Sequence, residues 1–348
     1  MQERTELGSL VDPEAAQYLA PCGVEGYSPE ILLGFLRTMR LIRRVEEQIG
    51  KWVVDQIARC PCHLGIGQEA VAAGIAHALR ASDRLFGNHR SHAHYLAAGG
   101  GVYELLAEVL GRLDGCSGGM GGSMHLIARE YGFYGSVPIV GGTIPIAVGA
   151  ALAAKMDGGE SIAVAYFGDG ASEEGVLHES MNLAAIYELP MLFVCENNQY
   201  SSHLYIKLRQ PSDRVSRYAD AHRITTAVLD GNDVTAVARS ASEIIASMRQ
   251  TRKPVFIEAI TYRWRGHVGA KEDIDVGVHR SLSDLNAWKQ RDPILRLENA
   301  LLANKLADES GLRALRDETD ATVVRHAEAA LRAPFPPASA LLDLVYAR

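Results

Sequence analysis

Ser161-Ile-Ala-Val-Ala-Tyr-Phe-Gly-Asp-Gly170 and Met191-Leu-Phe-Val-Cys-Glu-Asn-Asn198 are the stretches on which the fold turns. Each opens as an apolar run and closes on a polar turn. Between them, residues 173–188 carry Val176, Leu177, Met181, Ala184 and Ala185 at helical spacing. Strand, helix, strand in that order is a right-handed crossover between parallel neighbours. The carboxyl ends of both strands then lie side by side, at the edge where open α/β sheets bind ligands. Asp169, after Gly168, and Asn198 should therefore face one point. One carboxylate, one amide oxygen and free backbone carbonyls suit a hard cation such as Mg²⁺, which keeps other positions for phosphate oxygens and water. Gly170 and Ala171, leading into the helix, offer backbone N–H groups to the same phosphates. A glycine turn and an Asn-rich loop without a ligand is the plainer reading of either motif alone. Their pairing at successive strand ends favours the site.

Composition narrows the function. The 348 residues are 47% hydrophobic and 22% charged, as expected of a globular protein with a substantial core. A net charge of −7 without a sustained Lys/Arg block argues against nucleic acid as a partner. The N-terminus, Met1-Gln-Glu-Arg-Thr-Glu6, lacks the basic and then apolar regions of a signal peptide. The most apolar stretch, residues 144–154, contains Pro145 and is far short of the roughly 20 residues that cross a bilayer. With five cysteines a disulfide framework is not expected, and the cytoplasm is the expected location. Cys60-Pro-Cys62-His63 lacks the second Cys or His pair of a structural zinc site. His89, His92 and His94 sit in a turn-rich segment, where metal binding is not favoured.

No repeat period emerges. Residues 1–27 read as an irregular arm, and residues 28–348 as one α/β domain with helical additions. Helices are expected over residues 29–54, 65–79, 103–110, 141–156, 234–248, 283–304 and 309–332. Further strands are expected over 223–228 and 255–262. Gly115-Cys-Ser-Gly-Gly-Met-Gly-Gly-Ser-Met-His125 is a loop whose glycine density permits close approach to a ligand or a second chain. Residues 201–220 read as irregular. Residues 263–280, charged and without periodicity, read as a mobile loop near the site.

Cys62-His-Leu-Gly-Ile-Gly-Gln-Glu-Ala70, Gly118-Gly-Met-Gly-Gly-Ser-Met-His125, Gly168-Asp-Gly-Ala171 and Glu196-Asn-Asn-Gln-Tyr200 resemble the alpha subunit of thiamine-diphosphate-dependent 2-oxoacid dehydrogenases. The resemblance runs in register from about Pro29 to Pro334-Phe-Pro-Pro-Ala338. It implies the parallel-sheet thiamine-diphosphate-binding fold, with thiamine diphosphate and Mg²⁺ as cofactors. It also implies Asp169, Asn198 and the Tyr200 carbonyl as metal ligands, and Gly168, Gly170 and Ala171 as the diphosphate cradle. Arg90 is similar to the family's diphosphate-contacting Arg, preceded by His89 where a Tyr is usual. Val140 resembles the residue whose backbone touches the aminopyrimidine. His63 looks like the active-site His, set against the plainer reading of a backbone-satisfied helix-start histidine. Arg263 and His267 match the Arg and His of a loop that covers the cofactor, set against the plainer reading of Arg263 as a salt-bridge partner of Glu258 or Asp273.

Pro61 and Ser202 depart from common family residues, which puts the acyl pocket in doubt. Residues 268–273 differ from the phosphorylated segment of mitochondrial relatives. The pyrimidine-binding half is implied to reside on a beta subunit in an α2β2 assembly. The expected reaction is decarboxylation of a 2-oxoacid, or cleavage of acetoin, with transfer of the acyl unit to a lipoyl group on a partner acyltransferase. A carboligase or transketolase-like group transferase on the same subunit plan is the alternative. A degenerate scaffold would be expected to lack Asp169 or Asn198.

Overall fold

The computed structural model describes residues 6–272, 274–275 and 278–342. Its centre is a six-stranded parallel sheet of β1 (Arg84–Gly87), β2 (Phe133–Ser136), β3 (Ala163–Gly168), β4 (Met191–Asn197), β7 (Thr225–Asp230) and β8 (Val255–Ile260), in the order β2-β1-β3-β4-β8-β7. Two small hairpins join β5 (Tyr200–Ser201) to β6 (Leu204–Tyr205), and β9 (Ile274–Asp275) to β10 (Val278–His279).

β3 and β4 are continuous apolar runs because both faces of the sheet are covered. Val164, Tyr166, Leu192, Val194 and Ile257 enter one core, while Ala165, Phe167, Phe193, Cys195 and Phe256 enter the other. The crossover helix spans Gly175–Ile186, and a 3-10 turn, Asp169–Glu173, intervenes between it and β3. Gly170 and Ala171 therefore lie in that tight turn and lead into the helix through it. The register places Gly168 beside Glu196, which brings the Asp169 and Asn198 turns together.

Several expectations shift. The Pro29–Val54 helix forms with those bounds, with Ser28 Oγ accepting from Ile31 N and Pro29 in the first turn, where its missing N–H costs nothing. The helix expected over 65–79 shortens to Glu69–Ala76, because Gly67 at φ +101° stops it reaching further back. The helix expected over 283–304 is two, Leu282–Lys289 and Pro293–Ala303, broken at Asp292-Pro293, where Asp292 caps the second. β1, β2 and the helix His92–Ala98 had no counterpart in the sequence reading. The arm is not irregular throughout. It carries the turns Gly8–Val11 and Ala16–Leu19, Leu7 is buried beside Tyr262 and Trp288, and Arg291 donates to the Leu10 carbonyl at 2.8 Å.

The segment read as a mobile loop is pinned at its two ends. Arg280 donates to the carbonyls of Arg263, Trp264, Arg265 and Glu272 at 2.9–3.2 Å. Asp273, a candidate partner of Arg263, lies outside the described residues.

Candidate active site

A cavity of about 170 Å³ opens at the carboxyl edge of β3 and β4. Of the residues singled out from the sequence, His89, Arg90, Val140, Gly168, Asp169, Gly170, Ala171, Asn198, Tyr200 and His267 all line it. His63 sits directly behind, its ring 4.7 Å from that of His89 and 4.9 Å from that of His267. Arg263 lies farther back, buried, and donates to the carbonyls of Ser202 and Arg265. It thereby supports the β5–β6 hairpin, whose Ser202 is on the cavity wall.

Asp169 is 1% exposed. Its Oδ2 accepts from Arg209, while its Oδ1 is buried with no hydrogen-bond partner among the described residues. Burial pushes the carboxyl pKa up and Arg209 pulls it back down. An unpartnered carboxylate oxygen facing a cavity is a costly arrangement that a cation would relieve. Across from it, Asn198 is held at both ends. Its Nδ2 donates to Gln68 Oε1 at 3.2 Å, and its Oδ1 accepts from Tyr200 N at 3.1 Å. A Cβ on Gly170 would lie 2.5 Å from Ser201 Oγ, so a side chain at this position would have to displace Ser201.

The opposite wall is basic. Arg90 Nη1 donates to the Leu64 carbonyl at 2.6 Å, and Arg90 Nη2 to the His267 carbonyl at 3.2 Å. One guanidinium thus ties the segment after His63 to the segment bearing His267. Burial first, then Arg90, lowers the pKa of His63 to about 2 and of His89 to about 3. Both rings are neutral at ordinary pH.

His92 and His94, which share a turn-rich segment with His89, are engaged elsewhere. His92 bridges Glu46 Oε1 at 3.0 Å and Ser123 Oγ at 2.8 Å, and His94 stacks on Tyr166 at 4.0 Å. Glu258, the other candidate partner of Arg263, accepts from Asn197, Val215 and Ser216 at 2.7–2.9 Å.

Three contributors escaped the sequence reading. Gln68 orients Asn198. Arg209 neutralises Asp169 and Glu173 from the segment read as irregular. Glu108, fully buried, accepts from the backbone N–H groups of Ser117, Gly119, Gly121 and Gly122 at 2.7–2.9 Å and so shapes the glycine loop. The 103–110 segment reads only as a helix, and nothing local announces a carboxylate turned onto a loop.

The family model for the dehydrogenase E1 component matches residues 37–339. Pyruvate dehydrogenase E1 component subunit alpha from Rhizobium meliloti is 35% identical over 316 residues, covering 90% of each chain. The Rickettsia prowazekii protein of that name is 33% identical over 325 residues, covering 92% of this chain and 98% of its own. A mitochondrial alpha-1 subunit from Arabidopsis thaliana is 35% identical over 327 residues, covering 93% and 82%.

Proposed function

The chain belongs to the dehydrogenase E1 component family, as an alpha-type subunit of the thiamine-diphosphate-dependent 2-oxoacid dehydrogenases, and from that premise we propose that it anchors the cofactor's diphosphate through Mg²⁺ and serves pyruvate decarboxylation with acyl transfer to a lipoyl group. The observation that carries the reading is the unpartnered, buried Oδ1 of Asp169 in a cavity shared with Asn198. Asp169, Asn198 and the Tyr200 carbonyl form an all-oxygen donor set, which suits Mg²⁺. Gly168, Gly170 and Ala171 present the turn's backbone to the phosphates, and Arg90, His89 and His267 balance phosphate charge from the facing wall. Val140, 44% exposed on the rim, offers its backbone to the aminopyrimidine. All three relatives are named as pyruvate dehydrogenase subunits, which favours pyruvate as the substrate, and acetoin is the alternative for the same assay.

When bound, thiamine diphosphate supplies a nucleophilic carbon and an electron sink for decarboxylation. The chain's own residues bind, orient and move protons. His63, neutral and 7% exposed, holds or releases a proton at a ring nitrogen beside the substrate. His267 gives a proton to the departing lipoyl thiolate, and Arg263 holds the Ser202 hairpin against the cavity. A beta-type subunit covers the glycine loop and apolar side chains left in solvent. Ile139 is 69% exposed, and Ile146, Leu183 and Ile186 are exposed too.

The reading is tested by reconstitution. Mixed with a cognate beta subunit, Mg²⁺ and thiamine diphosphate, the chain should decarboxylate pyruvate and acylate a lipoyl domain, while the chain alone should do neither. His267→Ala should slow acylation by roughly 10²–10⁴, the range for a lost general acid, and slow decarboxylation to an artificial electron acceptor less. Equal losses in both assays would remove His267 from the acyl transfer.

A further inference from the structure

The same wall of the cavity holds a donor set of a different chemistry. His63, His89 and His267 each bring one ring nitrogen within 4.8 Å of the others, the only such cluster of three His, Cys, Asp or Glu side chains among the described residues. Their rings cross at 61–76°, so no pair is stacked face to face. His63 Nδ1 is buried and has no hydrogen-bond partner among the described residues. Aspartate and glutamate are absent from the trio, which therefore does not suit Mg²⁺ or Ca²⁺.

We propose that His63, His89 and His267 form a site for a borderline transition-metal dication, with Zn²⁺ as its natural occupant, in the cofactor-free chain. Three imidazoles and a water are a common zinc environment, with nitrogens 2.0–2.1 Å from the metal. In a tetrahedral site those nitrogens lie about 3.3 Å apart, so the rings close by about 1.5 Å at most. All three come from segments outside helices and strands, where modest side-chain rotation achieves that closure. The third nitrogen is supplied by His89.

Arg90 opposes the ion. Its Nη2 lies 3.5 Å from His267 Nδ1, and a guanidinium there weakens the site relative to trios backed by a carboxylate. His89 and His267 also line the cavity that holds Asp169 and Asn198. A metal on the trio therefore competes with the diphosphate end of the cofactor. That competition, though not the site itself, rests on the function proposed above.

The test uses the metal-stripped full chain and Co²⁺ as a probe for Zn²⁺. Four-coordinate cobalt on imidazoles gives intense visible bands, and six-coordinate cobalt on oxygens gives weak ones. Wild type should show the intense bands, and Zn²⁺ should displace them. His89→Tyr keeps an aromatic ring with a polar tip and removes the nitrogen. It should abolish the bands and weaken Zn²⁺ binding by calorimetry about 100-fold. His267→Gln should do the same, which guards against one variant failing to fold. Asp169→Ala should retain the bands. Bands surviving in folded His89→Tyr and His267→Gln, or a weak spectrum lost only in Asp169→Ala, would overturn the site. In the assembled α/β enzyme, Zn²⁺ should also raise the concentration of Mg²⁺–thiamine diphosphate that half-saturates wild type and leave that of His89→Tyr unmoved, whereas equal rises would overturn the competition. A wild-type α/β assembly that binds no thiamine diphosphate sinks the cofactor reading instead, and the cobalt spectrum of the chain still decides the trio.

Discussion

Arg209 closes on Asp169 from a segment forty residues downstream, pairing with Oδ2 and with Glu173 while Oδ1 is left unpartnered inside the cavity. The guanidinium balances a carboxylate that burial alone would drive toward protonation. A dication at Asp169 would supply the same balance. Arg209→Gln should therefore cost the cofactor-free chain on the order of 1–3 kcal/mol, the scale of breaking a buried pair whose remaining partner is free to protonate. Urea unfolding measures this, and the deficit should shrink when Mg²⁺ and thiamine diphosphate are present. Identical midpoints for variant and wild type in both conditions would show that Arg209 does not compensate Asp169.

Glu108 predicts a local effect with a distinct signature. Four backbone N–H groups of the glycine loop converge on its two oxygens. Glu108→Gln keeps the shape but replaces one acceptor oxygen with a donor, leaving Ser117 and Gly119, or Gly121 and Gly122, facing an NH₂. About 2 kcal/mol is expected from the lost charged acceptor. Hydrogen exchange read by mass spectrometry should show faster exchange over residues 117–122 and little change in β3 and β4. Unchanged protection of the loop would mean that the backbone holds itself.

The depressed basicity of His63 and His89 gives a pH dependence of known sign. In the unfolded chain these imidazoles take a proton near pH 6.5, while in the folded chain they resist it until about 2 and 3. The stability they permit is complete above pH 6.5 and is lost as pH falls from 6.5 toward 3. After discounting for solvent screening, the two rings together should contribute a slope of about 1 kcal/mol per pH unit in that window. Unfolding of the cofactor-free chain followed at pH 7, 6 and 5 measures it, and His89→Tyr should make the fall shallower by roughly half. Parallel slopes for variant and wild type would contradict the partly buried, neutral state of His89.

Much of this architecture is written locally. The Pro29–Val54 and Glu309–Arg332 helices carry long periodic faces with Ser28 and Asp308 as caps, and both form with the expected bounds. β3 and β4 end on the Gly-Asp-Gly and Asn-Asn turns that their apolar runs announce. Arg84-Leu-Phe-Gly87 and Phe133-Tyr-Gly-Ser136 give no such signal, because four residues ending on or containing glycine are held as strands by the sheet and not by their own propensity. Asp292-Pro293 did carry a signal, a cap followed by a first-turn proline, which the apolar periodicity on either side obscured.

Within the site, Asp169 and Asn198 were legible because each stands at a strand end. The meeting of His63, His89 and His267 was not, since it depends on loops brought together by Arg90, whose carbonyl partners at Leu64 and His267 are far apart in sequence. Gln68, Glu108 and Arg209 were missed for the same reason. Each acts across the fold on a group that no local pattern links to it.

The central claim is that Asp169 holds a cation on which cofactor binding depends. Calorimetric titration of thiamine diphosphate into the assembled α/β enzyme, with Mg²⁺ present, tests it directly. The account predicts that Asp169→Ala weakens cofactor binding by roughly one to two decades and removes most of its Mg²⁺ dependence, the scale of a lost charge-assisted contact. An Asp169→Ala assembly that binds the cofactor as tightly as wild type, with the same Mg²⁺ dependence, would contradict it.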